Sequence, residues 1–378
     1  MTQTDVKGQP TTEVATAPPK LVSRALDLII GWYVTAEAWL FEDKRALRGL
    51  ALARILAGMS VFGIYVTNFR VRHLLFGQGS VWNKPLADQS EFAPPRLIEN
   101  LSNGALTIYY LGVLLLALLF ILGWHTRLVG PLMLIAEVSL IERIPILGDQ
   151  GDNILRVGLI LLMFMHTSEF WSLDARRRAR VPAVAPVPRD PVAHVRTAMR
   201  NAWNSHPVVP RWLSNGVHNI FLAALMFQLI LIYISAGMFK TQGALWQHGT
   251  ALYYPLQLQE YRPFPILTDA MTHFGLFVGL ATYVVVFTQL FFPLMLLQTV
   301  TRRIAIALVI LFHLSIAVVM ALPWFSLSMI AFDAVWVSTA TLAAVDGWMR
   351  DRLRPVADLF WDIIDPVVDR LPRGFTRS

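Results

Sequence analysis

The chain has 378 residues, of which 55% are hydrophobic and only 15% are charged, and its mean hydropathy is +0.52. This composition excludes an ordinary soluble domain and indicates a protein that lies mainly in a membrane. Cysteine is absent, which excludes disulfide bridges and cysteine-based catalytic or metal sites. The net charge of +7 does not indicate nucleic-acid binding, because the arginines flank hydrophobic segments, where membrane topology accounts for them.

The two ends of the chain differ from the apolar region between them. Residues 1–20 are rich in Thr, Pro and Gln and contain no apolar core, so we expect a disordered tail and not a signal peptide. Residues 21–46 mix aromatic side chains such as Trp32 and Trp39 with charged ones, which predicts an amphipathic helix along the membrane interface. The segment 347–378 has the same character and predicts a second amphipathic segment, on the cytoplasmic side.

Eight segments between these ends are long and apolar enough to predict transmembrane helices. They are 47–67, 105–123, 128–147, 153–170, 217–239, 273–298, 303–322 and 324–346. We therefore expect an all-α, polytopic membrane domain over residues 47–346.

Basic residues predict the orientation of this domain. The loop 171–215 contains eight arginines, and an eight-span arrangement places it on the same side as Arg302 and Arg303 and as both termini. Positively charged loops remain on the inner side of a membrane, so we expect this side and both termini to be cytoplasmic. The segments 68–104 and 240–272 then face outward. Both are rich in aromatic residues, Gly and Pro, which is typical of loops that fold back to line a cavity.

Lys240 is the most informative polar residue, because it follows directly on the apolar run that ends at Phe239. Tyr233 and Gly237 precede it by seven and three residues, so a helix places all three on one face. A lysine at this position can extend to the water and have only an interfacial role. Alternatively, removal of the ammonium from water favours its neutral form, which is a base.

Polar residues also mark the start of the predicted fourth span. Asp152 is suited to cap the helix, and its spacing from Arg156 allows an i, i+4 ion pair. The functional alternative is that Asp149 and Asp152 line an outer cavity near Lys240.

Four more polar residues lie within predicted spans. His313 is interpreted either as a neutral histidine bound to a neighbour or as a proton carrier in a cavity. Arg54, Glu137 and Asp333 predict buried ion pairs that fix helix packing. No His, Asp or Glu lies at a metal-ligand spacing from His313, so we expect no metal site. No phosphate-binding loop is present, which argues against a nucleotide cofactor.

Three motifs form an ordered set that is more specific than any single hydrophobic pattern. They are Gly148–Asn153 with Trp171–Asp174; Ile232–Lys240 with Trp246, Gly249, Tyr253 and Tyr254; and His313–Ala317 with Pro323, Phe325–Ile330 and Asp333. The set spans roughly 45–345 and resembles bacterial proteins of the horizontally transferred transmembrane (HTTM) domain. These are relatives of the membrane half of the vitamin K-dependent γ-carboxylase.

The resemblance implies a chemistry. In the carboxylase, the lysine of an Ala-Gly-x-x-Lys phrase deprotonates vitamin K hydroquinone; oxygen then adds, and the resulting alkoxide removes a proton from a glutamate so that CO₂ can add. By this match Lys240 is the base, and the cofactor is a reduced quinone such as menaquinone or a vitamin K-like molecule. The resemblance further implies that Asp149, Asp152 and His313 assist. The quinone ring would then lie against Tyr233, Gly237 and three aromatic side chains: Trp246, Tyr253 and Tyr254.

The chain also departs from the carboxylase. The carboxylase phrase Asn-Asn-His-x-Tyr-Leu is replaced here by Asp152-Asn153-Ile154-Leu155-Arg156, without the histidine, and we expect no counterpart of the large lumenal β-rich domain. We therefore expect quinol chemistry without carboxylation of a docked protein. A second hypothesis is a non-catalytic partner in the maturation or export of a secreted peptide, as in a related bacterial branch. A third, a small-solute transporter, is weaker because no inverted repeat is detectable.

Overall fold

In the computed structural model of the protein, the described residues are 20–77, 101–144, 148–184 and 191–352, with the single positions 79 and 85. The predicted N-terminal tail up to residue 19, much of the outer loop 68–104 and the C-terminal segment from 353 onward lie outside them. Within the described residues the secondary structure is helical and contains no strand, so the predicted all-α class is confirmed for this part of the chain.

Within the described residues, the first part of the chain forms six α-helices. Their bounds are α1 Lys20–Phe41, α2 Leu47–Thr67, α3 Arg72–Leu75 after a 3₁₀ turn at Phe69–Val71, α4 Asn103–Leu122, α5 Thr126–Ile141 and α6 Gln150–Leu162. Ser102 is the N-cap of α4, and its side chain accepts a hydrogen bond from the Ala105 amide. Gly123 is the C-cap of the same helix, and its φ of 68° is in the left-handed region that favours glycine at helix ends.

The central part contains the longest helix and several short ones. The bounds are α7 Leu173–Arg180, α8 Pro191–Trp203, α9 Arg211–Gln242, α10 Ala244–Gln247, α11 Tyr253–Gln257, a 3₁₀ turn at Gln259–Tyr261, and α12 Pro265–His273. The arginine-rich loop 171–215 therefore contains the helices α7 and α8. Much of the predicted outer segment 240–272 folds into the short helices α10 to α12.

The last part consists of two long helices and a bent pair. The bounds are α13 Gly275–Met295, α14 Thr299–Val319, α15 Pro323–Asp333, a 3₁₀ turn at Ala334–Trp336, and α16 Thr339–Arg352. Helix α15 begins at a proline, which lacks an N–H and is suited to a first helical turn. The chain bends by 114° between α15, with its 3₁₀ turn, and α16.

Five helices in the described ranges are long and apolar enough to cross a membrane, namely α2, α4, α9, α13 and α14, and the bent pair α15–α16 makes up to six. All eight predicted segments contain helix. However, α5 has only 16 residues and α6 only 13, which is short for a membrane span. Helix α5 ends at Ile141, four residues before Pro145 in the sequence, and proline disfavours helix in the residue before it.

The helices pack in two connected groups. Helix α2 packs against α4 and α15, and together with α5, α6 and α9 they enclose the main hydrophobic core. A second, smaller core joins α9, α13 and α14 through Tyr233, Phe292, Ala305 and Val309. Helix α9 belongs to both groups, and its C-terminal end, which carries Lys240, lies against the smaller one.

Candidate functional site

Lys240 is half-buried near the end of α9, and its side chain bonds to a neighbouring helix. Its Nζ donates a hydrogen bond of 2.8 Å to Oε1 of Gln289 on α13 and a longer one of 3.4 Å to the Ala236 carbonyl. The Trp246 ring centroid lies 5.2 Å from Nζ, at cation–π distance. In the described ranges no carboxylate pairs with this amine. The ammonium is thus held by an amide oxygen and an aromatic ring.

Gly237 allows the close helix contact that this bond requires. A Cβ built on Gly237 would lie 2.8 Å from the backbone nitrogen of Leu290, closer than real Cβ contacts. The absence of a side chain therefore lets α9 and α13 approach each other, one turn before Lys240. Lys240 can then reach Gln289 on α13.

Tyr233 connects the same face of α9 to α15. Its hydroxyl donates a hydrogen bond of 2.6 Å to Oδ2 of Asp333, and both side chains are buried. The Tyr233 ring also packs against Phe292 with centroids 4.4 Å apart. The predicted shared face of Tyr233, Gly237 and Lys240 thus contacts two partner helices.

His313 is buried on α14 with 2% of its surface exposed, and neither of its ring nitrogens has a hydrogen-bond partner in the described structure. Its ring lies 6.0 Å from that of Phe325, and it is within electrostatic range of Lys240. Asp333 Oδ1 and Trp336 Nε1 are likewise buried without a partner. We call Tyr233, Lys240, Gln289, His313 and Asp333 the Lys240 cluster. Because buried polar atoms are normally bonded, the unpartnered atoms of His313 and Asp333 distinguish this cluster and require an explanation.

Asp149 and Asp152 form the start of α6. Asp149 is the N-cap: its Oδ1 accepts from the amides of Gly151 (2.6 Å) and Asp152 (3.2 Å), while Asp152 Oδ2 accepts from the Asp149 amide (2.9 Å). The prediction that Asp152 caps the helix is therefore wrong, because the capping box places it three residues later. The contacts shown by these carboxylates are with their own helix start and not with the Lys240 cluster. Arg156 forms an ion pair with Glu142 at 2.5 Å.

The predicted pairing of Arg54 with buried carboxylates is not found. Arg54 is fully buried and donates from Nη1 to the carbonyls of Phe120 (2.8 Å) and Ile121 (3.0 Å), and from Nη2 to that of Trp171 (2.6 Å). The carbonyls at the end of α4 carry partial negative charge and attract the guanidinium. Among the described residues, both carboxylate oxygens of Glu137 lack a partner. Asp333 bonds to Tyr233, so none of these residues forms the expected ion pair.

The structure places Trp246 beside Lys240 but shows no such contact for Tyr253 and Tyr254. Trp246 contacts Lys240, as described above. Tyr253 and Tyr254 are 45% and 50% exposed, and their rings contact each other at 5.6 Å in an edge-to-face arrangement. No contact between these two tyrosines and Lys240 is present in the described ranges, so of the three only Trp246 is placed beside the amine.

Gln289 is the site residue that sequence reasoning missed. It is 6% exposed and is the direct partner of Lys240. A sequence signal was available, since Gln289 is an uncharged polar residue within an otherwise apolar run, Val284–Phe292, where an amide needs a partner.

No group of three or more His, Asp or Glu side chains that could hold a metal ion is found where the structure is described. No family model matches the chain, and neither a curated protein nor a solved structure was found to match it. The functional interpretation therefore rests on the residues themselves.

Proposed function

We propose that this protein is a multi-pass cell-membrane protein of the HTTM type that binds a membrane quinol at the Lys240 cluster and uses Lys240 as a base. The observation that supports it is the environment of the Lys240 amine. The amine is bonded to Gln289 and close to the Trp246 ring, and no carboxylate in the described ranges offers it a counter-ion. A neutral amine is stabilised more readily in such a site than where a carboxylate pairs with it.

The cluster provides separate groups for each part of the proposed reaction. The quinol hydroxyl transfers its proton to the neutral amine, so that an O–H bond breaks, an N–H bond forms and the quinolate anion remains next to the ammonium. Gln289 orients the amine, and Trp246 supplies a face for the flat ring. His313 can then exchange a proton with the site, because both of its ring nitrogens are unpartnered.

The proposal includes the topology expected from the loop charges. The arginine-rich loops and both termini lie in the cytoplasm, and the Lys240 cluster lies toward the outer side of the membrane. The short helices α5 and α6 and the bent pair α15–α16 complete the eight membrane segments. Cysteine labelling of single-cysteine variants on both sides would test this arrangement, and the natural absence of cysteine makes it practical.

Copurification tests the quinol site directly. Purified protein is extracted with organic solvent, and bound menaquinone and ubiquinone are measured by mass spectrometry. We expect the wild type to carry a quinone and Lys240→Ala to lose about tenfold or more of it, because the amine and its orientation are removed. Gln289→Leu should show a smaller loss.

The matched control is Lys44→Ala, which removes a lysine from the opposite, arginine-rich end. It should keep the wild-type amount of quinone, and all variants should have similar unfolding temperatures. Wild-type quinone content in the folded Lys240→Ala variant would overturn the proposal, as would equal loss in Lys44→Ala.

A second candidate, docking of a secreted peptide, is favoured by the surface of α10 to α12. This segment exposes large apolar side chains, including Phe264 (52% exposed), Ile266 (88%) and Phe274 (66%). A photoreactive amino acid at position 266 would crosslink a secreted peptide on this hypothesis. Crosslinks to lipid alone would contradict it.

A further inference from the structure

The arginine-rich end contains a cavity of about 990 Å³ that the proposed quinol chemistry does not use. It lies between the start of α5, the segment 165–169, α7 and α8. His166 lines it, and the His166 amide donates to Nδ1 of His218 on α9. Along α9, His218 is roughly 30 Å from Lys240. The cavity is therefore a separate site.

One wall of the cavity is basic, and its acidic groups are already bonded. Glu169 pairs with Arg178 at 3.0 Å. Asp174 accepts from the amides of His125 (2.8 Å) and Thr126 (2.9 Å) and pairs with Arg177 at 3.3 Å. An additional anion entering the cavity would therefore meet arginines whose charge is not compensated by these carboxylates.

Three lining arginines are available for such an anion. Arg127 is hydrogen-bonded to the ring nitrogen Nε2 of His166 at 3.1 Å, which leaves its charge unpaired. Arg196 and Arg200 lie one turn apart on α8, so they share a face. Neither has a carboxylate partner in the described part of the chain, and the buried Nε of Arg200 has no hydrogen-bond partner there.

The other wall is apolar. Val192, Val195 and Met199 line the cavity from α8, and their spacing of three and four residues forms one stripe beside Arg196 and Arg200. The three side chains are 66%, 54% and 68% exposed, respectively. A purely ionic ligand would leave this stripe in water, whereas an acyl chain would cover it.

We propose that the cavity binds an anionic phospholipid, with its phosphate held by Arg127, Arg196 and Arg200 and one acyl chain along the apolar stripe of α8. Guanidinium groups bind phosphate through paired, charge-assisted hydrogen bonds. Basic pockets at the cytoplasmic ends of membrane helices are suited to such head groups. The volume is in the range of small-molecule sites and accommodates the head group with part of one chain.

Native mass spectrometry of the full-length, delipidated protein with added phosphatidylglycerol tests the proposal. The double variant Arg196→Gln/Arg200→Gln should bind the lipid about tenfold more weakly, because two charged contacts are lost. Val195→Trp keeps every charge but fills the apolar part, and should also weaken binding severalfold. The control Arg302→Gln/Arg303→Gln makes the same charge change outside the cavity and should bind within about twofold of the wild type.

Three results would overturn the assignment: wild-type affinity in the Arg196/Arg200 double variant, an equal loss in the Arg302/Arg303 control, or wild-type affinity in Val195→Trp. Glycerol 3-phosphate, which has the head-group phosphate but no chains, distinguishes a lipid from a soluble phosphate ester. We expect it to compete poorly with phosphatidylglycerol. Competition at equal concentration would show that the site takes free phosphate esters and not a lipid.

Discussion

His218 on α9 and His313 on α14 are both buried, but only His218 is hydrogen-bonded among the described residues. At the arginine-rich end, His218 accepts from the His166 amide at 3.0 Å and donates to the Arg45 carbonyl at 2.9 Å. The neighbouring Asn219 side chain also forms several bonds to backbone groups of the chain before α2. At the other end, His313 is as deeply buried, yet both of its ring nitrogens are unpartnered in the described structure.

This contrast separates residues that stabilise the fold from residues that are available for function. A bonded buried polar group contributes to stability, whereas an unpartnered one costs free energy. We infer that the cost at His313 and Asp333 is connected with the proposed function. The first class is represented by His218, Asn219 and Arg54. The second is represented by His313 and the free oxygen of Asp333. Substitutions at members of the two classes test this separation.

Arg54→Leu should have the largest effect. The substitution removes three hydrogen bonds and leaves the carbonyls of Phe120, Ile121 and Trp171 without their donor. We expect the free energy of unfolding to fall by about 4 kcal/mol, or folded protein to be lost altogether. Thermal unfolding in detergent measures the change. Arg303→Leu, at an exposed position, serves as the control, and an equally small effect in both variants would contradict the assigned role of Arg54.

His125 should make stability depend on pH. It lies in the turn between α4 and α5, where burial and then the charge of Arg177 lower its pKa from 6.5 to about 4. The unfolded chain therefore binds a proton at a higher pH than the folded protein. The stability from the neutral ring is complete well above pH 6.5 and is lost as the pH falls from 6.5 to 4, by about 3 kcal/mol.

The variant His125→Asn isolates this effect, because asparagine tolerates the left-handed backbone of this position, where φ is 43°. Its unfolding temperature should change less than that of the wild type between pH 7 and pH 4. If the two pH profiles run parallel, His125 is not the titrating group.

His313→Leu should have the smallest effect on stability. Removal of two buried, unpartnered nitrogens should leave the free energy of unfolding unchanged or raise it by about 1 kcal/mol, while quinone content falls. The matched variant His218→Leu should lower the free energy of unfolding by about 2 kcal/mol, because two hydrogen bonds to backbone groups are lost. Unfolding temperatures of the two variants give the comparison directly, and a drop of equal size in both would abolish the distinction between the two ends.

The sequence was sufficient to predict helices in all eight apolar segments, because hydrophobic length is a local property. It was less informative about where helices end. Helix α5 stops before the charged residues Glu142 and Arg143, and α15 turns by 114° into α16 although the segment 324–346 is apolar in sequence. At this bend the Ser338 side chain accepts a hydrogen bond from the Thr341 amide, a capping signal that a hydropathy pattern does not contain.

The site was predictable in part. Tyr233, Gly237, Lys240 and Trp246 lie close together as expected, because most of them share one helix face. The partner of Arg54 could not be inferred, since it is a set of backbone carbonyls far away in sequence. Likewise, Asp149 and Asp152 are both suited by type to cap the start of α6. The structure shows that Asp149 is the N-cap.

The length of α9 has a consequence for the depth of Lys240. With 32 residues the helix is about 48 Å long, whereas the hydrocarbon layer of a bilayer is about 30 Å thick. Hydrogen bonds from Asn215, His218 and Asn219 fix its first turns to the backbone around residue 42. On the proposed topology, the opposite end would absorb any mismatch with the lipid, and the immersion of the amine would change with bilayer thickness.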